Sequence, residues 1–219
     1  MNPADYDAWY DTARGRWIGE TECRLLISLL DAQVGESALD VGCGTGWFTR
    51  RIGGLTGSNV TGVDLNGEWL AFARNRDMDS IYLQADARDL PFAEDSFDRI
   101  FSVTALSFVP DWKRALREIL RVTSKRFVIG LLNRNSLLWS EKGRNGGEGA
   151  YRGAHWHTRQ EIRSGLIGLP ACNIKIHSAI FMPSGSRIAR MVEPIVPGTL
   201  ACGSFLVVSG DKLPNCRQS

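Results

Sequence analysis

At 219 residues, with 43% hydrophobic and 23% charged positions, the chain has the size and composition of one soluble globular domain with room for a full α/β core. A formal net charge of +2 gives no bulk attraction to nucleic acid or to a membrane, and no run of about 18 apolar residues reads as a spanning helix. Cysteines at positions 23, 43, 172, 202 and 216 are odd in number and lack zinc spacing, so reduced thiols are expected; with no signal pattern at the N-terminus, so is a cytoplasmic location.

Asn2 before Pro3 suits the start of a short helix carrying the aromatic run Tyr6, Trp9 and Tyr10. Cys23, Leu26, Ile27 and Leu30 repeat at helical spacing and predict a second helix from about Arg16 to Leu30. Strand one ends near Val41, and after a glycine turn a helix from about Gly46 carries Trp47, Phe48 and Ile52. Strand two, Asn59 to Val63, ends at Asp64, and Asn66 caps a helix through Trp69 and Ala73. Ile81 to Leu83 forms strand three, and strand four runs from about Arg99 to Thr104. Asp111 opens a helix with Leu116, Ile119 and Leu120, and strand five is expected from Arg126 to Leu131 after a turn beginning at Arg121. Between Asn133 and His157 there is no periodicity beyond a short helix at Ser136 to Lys142. Thr158-Arg159-Gln160-Glu161 is a capping-box pattern that opens another helix. Ile174 to Phe181 and Ser204 to Val208 read as the last strands, joined by a long connection from Met182 to Thr199. Such alternation predicts a parallel sheet with helices on both faces. No second core is visible, so residues 1–219 read as a single domain with residues 1–31 as a helical cap.

The stretch Leu39-Asp40-Val41-Gly42-Cys43-Gly44-Thr45-Gly46 holds the chemistry. Glycines at a strand-to-helix turn allow a ligand to approach the backbone closely, and in a doubly wound sheet that turn faces the cofactor crevice. A dinucleotide site wants a third small residue where Trp47 stands, and Asp40 would bring negative charge toward a pyrophosphate. A cofactor carrying a sulfonium and an ammonium gains from the same acid. The spacing therefore favours S-adenosylmethionine over NAD.

These residues, with Asp64 in Val63-Asp64-Leu65-Asn66, Gln84-Ala85-Asp86-Ala87 and Phe97-Asp98-Arg99-Ile100, resemble the ordered motifs of class I S-adenosylmethionine-dependent methyltransferases, more narrowly the type 11 family, over roughly residues 36 to 132. The resemblance implies a Rossmann-like, doubly wound sheet of seven strands, mostly parallel with one antiparallel strand. It implies that Gly42, Cys43, Gly44 and Gly46 form the cofactor turn. Asp64 would take the ribose hydroxyls, with Leu65 beside it as a further cofactor contact, Asp40 the methionine ammonium directly or through water, and Asp86 with Ala87 the adenine. The plainer readings are a helix cap for Asp64, a charge satisfied by turn amides for Asp40, a surface loop for Asp86 and packing for Cys43. Tyr6 and Trp9, with Tyr10 and Trp17, either fold over the cofactor edge or pack on the outer core.

Methyl transfer from a sulfonium needs no obligatory catalytic side chain, so the sequence names none beyond His155 as a candidate base, against an ordinary loop histidine. His155-Trp156-His157 has no carboxylate spaced to complete a metal site, so no metal is expected. Residues 133–157, with five glycines and Tyr151, read as a substrate lid. Ser102 and Thr104 end strand four next to where the methyl group should lie, and Leu106 and Phe108 follow as candidate pocket walls or core. Val103-Thr104-Ala105-Leu106 stands where a nucleic-acid amine methylase would show a proline-rich motif, so a small-molecule acceptor is favoured and nucleic acid disfavoured. The basic stripe Lys113, Arg114, Arg117, Arg121 and Lys125 reads as a solvated face. A non-catalytic cofactor-binding protein is the rival reading, and a homodimer is left open.

Overall fold

A computed structural model describes residues 2–213; Cys216 lies outside them. Seven strands form one sheet in the order β3-β2-β1-β4-β5-β7-β6. They are β1 (Ser37–Val41), β2 (Asn59–Asp64), β3 (Ile81–Gln84), β4 (Phe97–Val103), β5 (Thr123–Leu132), β6 (Ala171–Ala179) and β7 (Phe205–Lys212). β7 runs antiparallel to both β5 and β6, and every other pair is parallel. The strand order reverses between β1 and β4, which opens a crevice at their carboxyl ends.

Alternation along the central strands builds the two faces. Leu39, Val41, Phe127, Ile129, Leu206 and Val208 turn to one side, where α5 (Trp112–Val122) and α6 (Arg159–Leu166) contribute Leu116, Ile119 and Ile162. Ala38, Val128, Phe205 and Val207 turn to the other, against Leu26, Leu30 and Ile52 of α2 (Ala13–Leu30) and α3 (Trp47–Thr56). α4 (Gly67–Arg76) covers the β2–β3 edge with Leu70 and Ala73. Asn2, Asn66 and Asp111 cap α1 (Pro3–Trp9), α4 and α5 as their sequence positions suggest.

Several expectations are corrected. α2 begins at Ala13, three residues earlier than periodicity indicated, because the Thr12 side chain caps the Gly15 amide at 3.0 Å. β5 begins at Thr123, directly after α5, with no turn between them. The helix-end carbonyls find a donor elsewhere: the buried Lys212 ammonium of β7 reaches Leu120 O at 2.7 Å and Asp95 at 2.9 Å. The basic stripe on α5 is not simply solvated. Arg114 and Arg121 donate to the carbonyls of Arg88, Leu90 and Phe92, and Lys125 just beyond the helix pairs with Glu36 and Asp98. The long connection before β7 contains a further helix, α7 (Arg187–Val192).

Candidate functional site

The crevice between β1 and β4 is shaped first by the glycine turn. Gly42 and Gly46 sit at φ of 79° and 75°, where a side chain would be strained. A Cβ on Gly42 would lie 2.1 Å from Cβ of Ala105, and one on Gly46 would lie 2.5 Å from the Tyr82 hydroxyl. The amides of Gly42 and Cys43 both donate to Val63 O, which locks the turn to the end of β2. Cys43 is buried in the turn and its thiol is pushed strongly upward by desolvation, so packing is its role here.

Asp64 reaches back to the same turn. One carboxylate oxygen accepts from the Gly44 amide at 2.9 Å and the other from the Asn66 amide at 2.9 Å. Leu65 next to it is exposed. Asp40 is buried below the turn and accepts from the Thr49 hydroxyl at 2.7 Å, so α3 rather than turn amides satisfies it. Desolvation pushes Asp40 up to about 7, with the charge of Asp64 adding and the Thr49 bond opposing. Thr45 Oγ1, in the same turn, is buried without a hydrogen-bond partner. Close backbone approach, a spare buried hydroxyl and two flanking acids fit a cofactor that has a ribose and a cationic tail.

The adenine-side pair is differently arranged. Arg88 folds back on Asp86 with bonds of 3.0 and 2.7 Å, and its guanidinium holds that carboxyl down to about 2. Asp86 is thus ionised but already paired, while Ala87 leans on the core beside α5. The β2–β3 pairing puts this loop next to Asp64, since Ala85 N donates to Asp64 O.

The aromatic helix α1 lies across the turn. Tyr6 packs on Trp69 at 4.9 Å between ring centroids, and Trp69 covers Gly44. Tyr10 stacks on Trp47 at 4.3 Å. Arg50 pins the arrangement by donating to Thr45 O at 2.7 Å and to Asp7 at 3.0 Å. Neither Arg50 nor Thr49 was singled out from the sequence; both lie on α3 at helical spacing from the turn. Trp17 stands apart, under the Arg190 guanidinium.

Next to these aromatics is a cavity of about 330 Å³. Tyr6, Trp9 and Tyr10 form one wall, and Thr104 and Leu132 at the strand ends, with Phe108 of the 3-10 turn after β4, form another. The segment after β5 closes a third side, with a π-helical turn at Trp139–Gly143, through Leu138, Glu141, Lys142 and Tyr151. Ser102 does not reach it: the side chain is buried and donates to Val41 O. Leu106 belongs to the core. Glu22 of α2 does line the cavity, with no hydrogen-bond or ion-pair partner among the described residues, and desolvation pushes its carboxyl up to about 8. Sequence reasoning missed it, because a lone glutamate on an amphipathic helix gives no signal of facing inward.

His155 is not in the cavity. It borders an outer hollow with Arg134 and Arg144, and its Nε2 lies 2.5 Å from Glu161 Oε1. It is therefore dropped as a candidate base. The expectation that no carboxylate completes the histidine pair is also corrected, since Glu161 supplies one.

The sequence and the fold also resemble those of known proteins. A family model described as a methyltransferase domain matches residues 39–128. The malonyl-[acyl-carrier protein] O-methyltransferase of Pectobacterium atrosepticum is 39% identical over 104 residues, covering 48% of this chain and 41% of that protein. Sterol methyltransferase-like 3 of Botryococcus braunii is 32% identical over 126 residues, covering 52% of this chain and 32% of that protein. The chain thus spans less than half the length of these relatives. Among solved structures, a SAM-dependent methyltransferase from Thermotoga maritima, described as a possible histamine N-methyltransferase, is 26% identical with a TM-score of 0.78 and covers 95% of both chains.

Proposed function

We propose that the chain is a class I S-adenosylmethionine-dependent methyltransferase, with S-adenosylmethionine as cofactor, and that it methylates a small molecule held in the cavity beside the glycine turn. When bound, the cofactor supplies an already activated methyl group. Asp64 holds its ribose hydroxyls, Asp40 its ammonium, the turn from Gly42 to Gly46 with Cys43 its backbone-facing side, and Leu65, Asp86 and Ala87 the adenine end. Tyr6 and Trp9 close the edge and keep water out, and residues 133–157 serve as lid through Leu138 and Tyr151. The cavity shared between α1 and the ends of β4 and β5 supports this reading, because its Tyr6 and Tyr10 wall packs on Trp69 and Trp47 next to the glycine turn. The relatives' named acceptors differ from one another, so the acceptor class is read from the cavity itself.

Glu22 favours an acceptor with a basic nitrogen. Arg14 and Lys142 also line the cavity, but Arg14 donates to Pro183 O and Lys142 pairs with Glu148. A Glu22 carboxylate among Tyr6, Trp9, Tyr10 and Tyr151 is therefore completed by an ammonium that also meets aromatic faces. Its raised pKa suits it to accept the proton that an amine sheds on becoming a nucleophile. A cytoplasmic location accompanies this reading; no helix among the described residues is long and apolar enough to cross a membrane. The test is incubation with deuteromethyl cofactor and a panel of small amines, phenols and carboxylic acids, read by mass spectrometry. Labelled amines are expected, with Glu22→Gln lowering kcat/KM about 10- to 100-fold at unchanged cofactor affinity. Labelling of phenols or acids with amines untouched overturns the amine reading, and no labelled product from a protein that binds the cofactor supports a non-catalytic binder.

A further inference from the structure

We propose that His155, His157 and Glu161 bind a divalent cation of the zinc class, at a site separate from the cofactor crevice. The backbone sets the first two ligands. His157 N donates to Leu132 O at 2.8 Å, Arg134 N donates to His157 O at 2.9 Å, and His155 N donates to Ser107 O at 2.7 Å. These bonds hold the segment extended, so residues two apart share a face, and the two imidazoles stand 4.5 Å apart between ring centroids. The third ligand comes from the first turn of α6. Thr158 caps the Glu161 amide, but the Glu161 carboxylate does not complete the capping box. It turns instead to His155 Nε2 at 2.5 Å. One ligand atom from each of the three residues lies within 4.8 Å of the other two.

The independent observation is His157. Its side chain is fully buried, and neither ring nitrogen has a hydrogen-bond partner. A neutral imidazole carries one donor and one acceptor, so a buried ring with both unmet is an exception that calls for a reason. A metal bond to one nitrogen supplies it. The Trp112 ring, 4.9 Å from His157 and perpendicular to it, walls the site with aromatic surface. Arg134 and Arg144, which share the outer hollow with His155, are drawn over the Trp139 ring at 5.8 and 5.7 Å.

Two imidazoles and one carboxylate suit Zn²⁺ and its neighbours, whereas Ca²⁺ and Mg²⁺ prefer oxygen alone. Three protein ligands leave a fourth position, and the partly exposed His155 and Glu161 open it to water. An ion there fastens the carboxyl end of the lid segment to α6.

The experiment uses tag-free, chelator-treated full-length protein and Co²⁺ as a spectroscopic probe, displaced by Zn²⁺. The parent is expected to show visible d–d absorption of a low-symmetry site, saturating at one ion per chain and lost on adding Zn²⁺. Glu161→Gln, at an accessible position, should fold as the parent does and bind Zn²⁺ at least about a hundredfold more weakly; His155→Ala should behave alike. Parent protein that takes up no Zn²⁺ at micromolar concentration overturns the proposal. So does uptake unchanged in both variants, which would place the ion on the cysteines instead.

Discussion

Replacing Asp64 with alanine removes the acid that joins the two cofactor motifs. A carboxylate offers about four lone-pair sites, and the Gly44 and Asn66 amides occupy one on each oxygen. One site per oxygen is left, which matches the two hydroxyls of a ribose. A hydrogen bond to a charged acceptor contributes about 1.5–3 kcal/mol, and water replaces part of it in the variant. The expected loss is therefore about 2–4 kcal/mol, or roughly 30- to 900-fold in Kd. Stability should fall by only about 1 kcal/mol, because the freed amides are at a partly exposed strand end where water can reach them. Calorimetric titration with S-adenosylmethionine, alongside thermal unfolding, measures both quantities. Asp64→Asn keeps one acceptor oxygen without charge and should fall between parent and alanine. Folded Asp64→Ala binding as tightly as the parent would refute the assignment.

Asp40 and Glu22 are both held protonated above their ordinary range, so the folded state binds their protons more tightly than the unfolded chain. Stability of the ligand-free protein should then decline as pH rises from about 4 to 8, with Asp40 alone losing on the order of 4 kcal/mol between about pH 4 and 7. Urea unfolding of parent and the Asp40→Asn, Glu22→Gln double variant checks it, and an identical slope in the two contradicts the assignment; Glu36 and Asp86, both near 2, lose their contribution only at lower pH. Deleting residues 1–12 removes Asp7, Tyr6 and Trp9 from over the turn and should leave a folded sheet with about tenfold weaker cofactor binding; unchanged affinity would reduce α1 to packing. Gly42→Ala forces a Cβ onto Ala105 at positive φ and should cost about 3 kcal/mol or more, whereas Gly54→Ala, within α3 with open space around it, should be neutral or slightly stabilising. Thermal melts of the two variants decide between them.

The sheet was legible because its signals are local. Apolar runs, caps at Asn2, Asn66 and Asp111, and the glycine turn each act within a few residues. The direct passage from α5 into β5 was not, because the group that caps the helix, Lys212, is about ninety residues away in the chain. The site divides the same way. Asp64 and the glycine turn announce themselves by spacing, and the structure brings them into contact. Thr49, Arg50 and Glu22 act through helix orientation, which only the packing of α2 and α3 against the sheet decides. His155 was misplaced for a related reason. Residues 133–157 read as one lid, yet the segment divides: Tyr151 lines the cavity, whereas His155, two residues before the His157 that bridges to Asn133, borders the outer hollow.

A crystal structure with S-adenosylhomocysteine bound tests the central claim most directly. The account predicts the ribose on Asp64, the amino-acid tail near Asp40, and the sulfur opening into the cavity between Tyr6, Thr104 and Glu22. A sulfur walled off from that cavity, or a nucleoside that leaves Asp64 untouched, would contradict it.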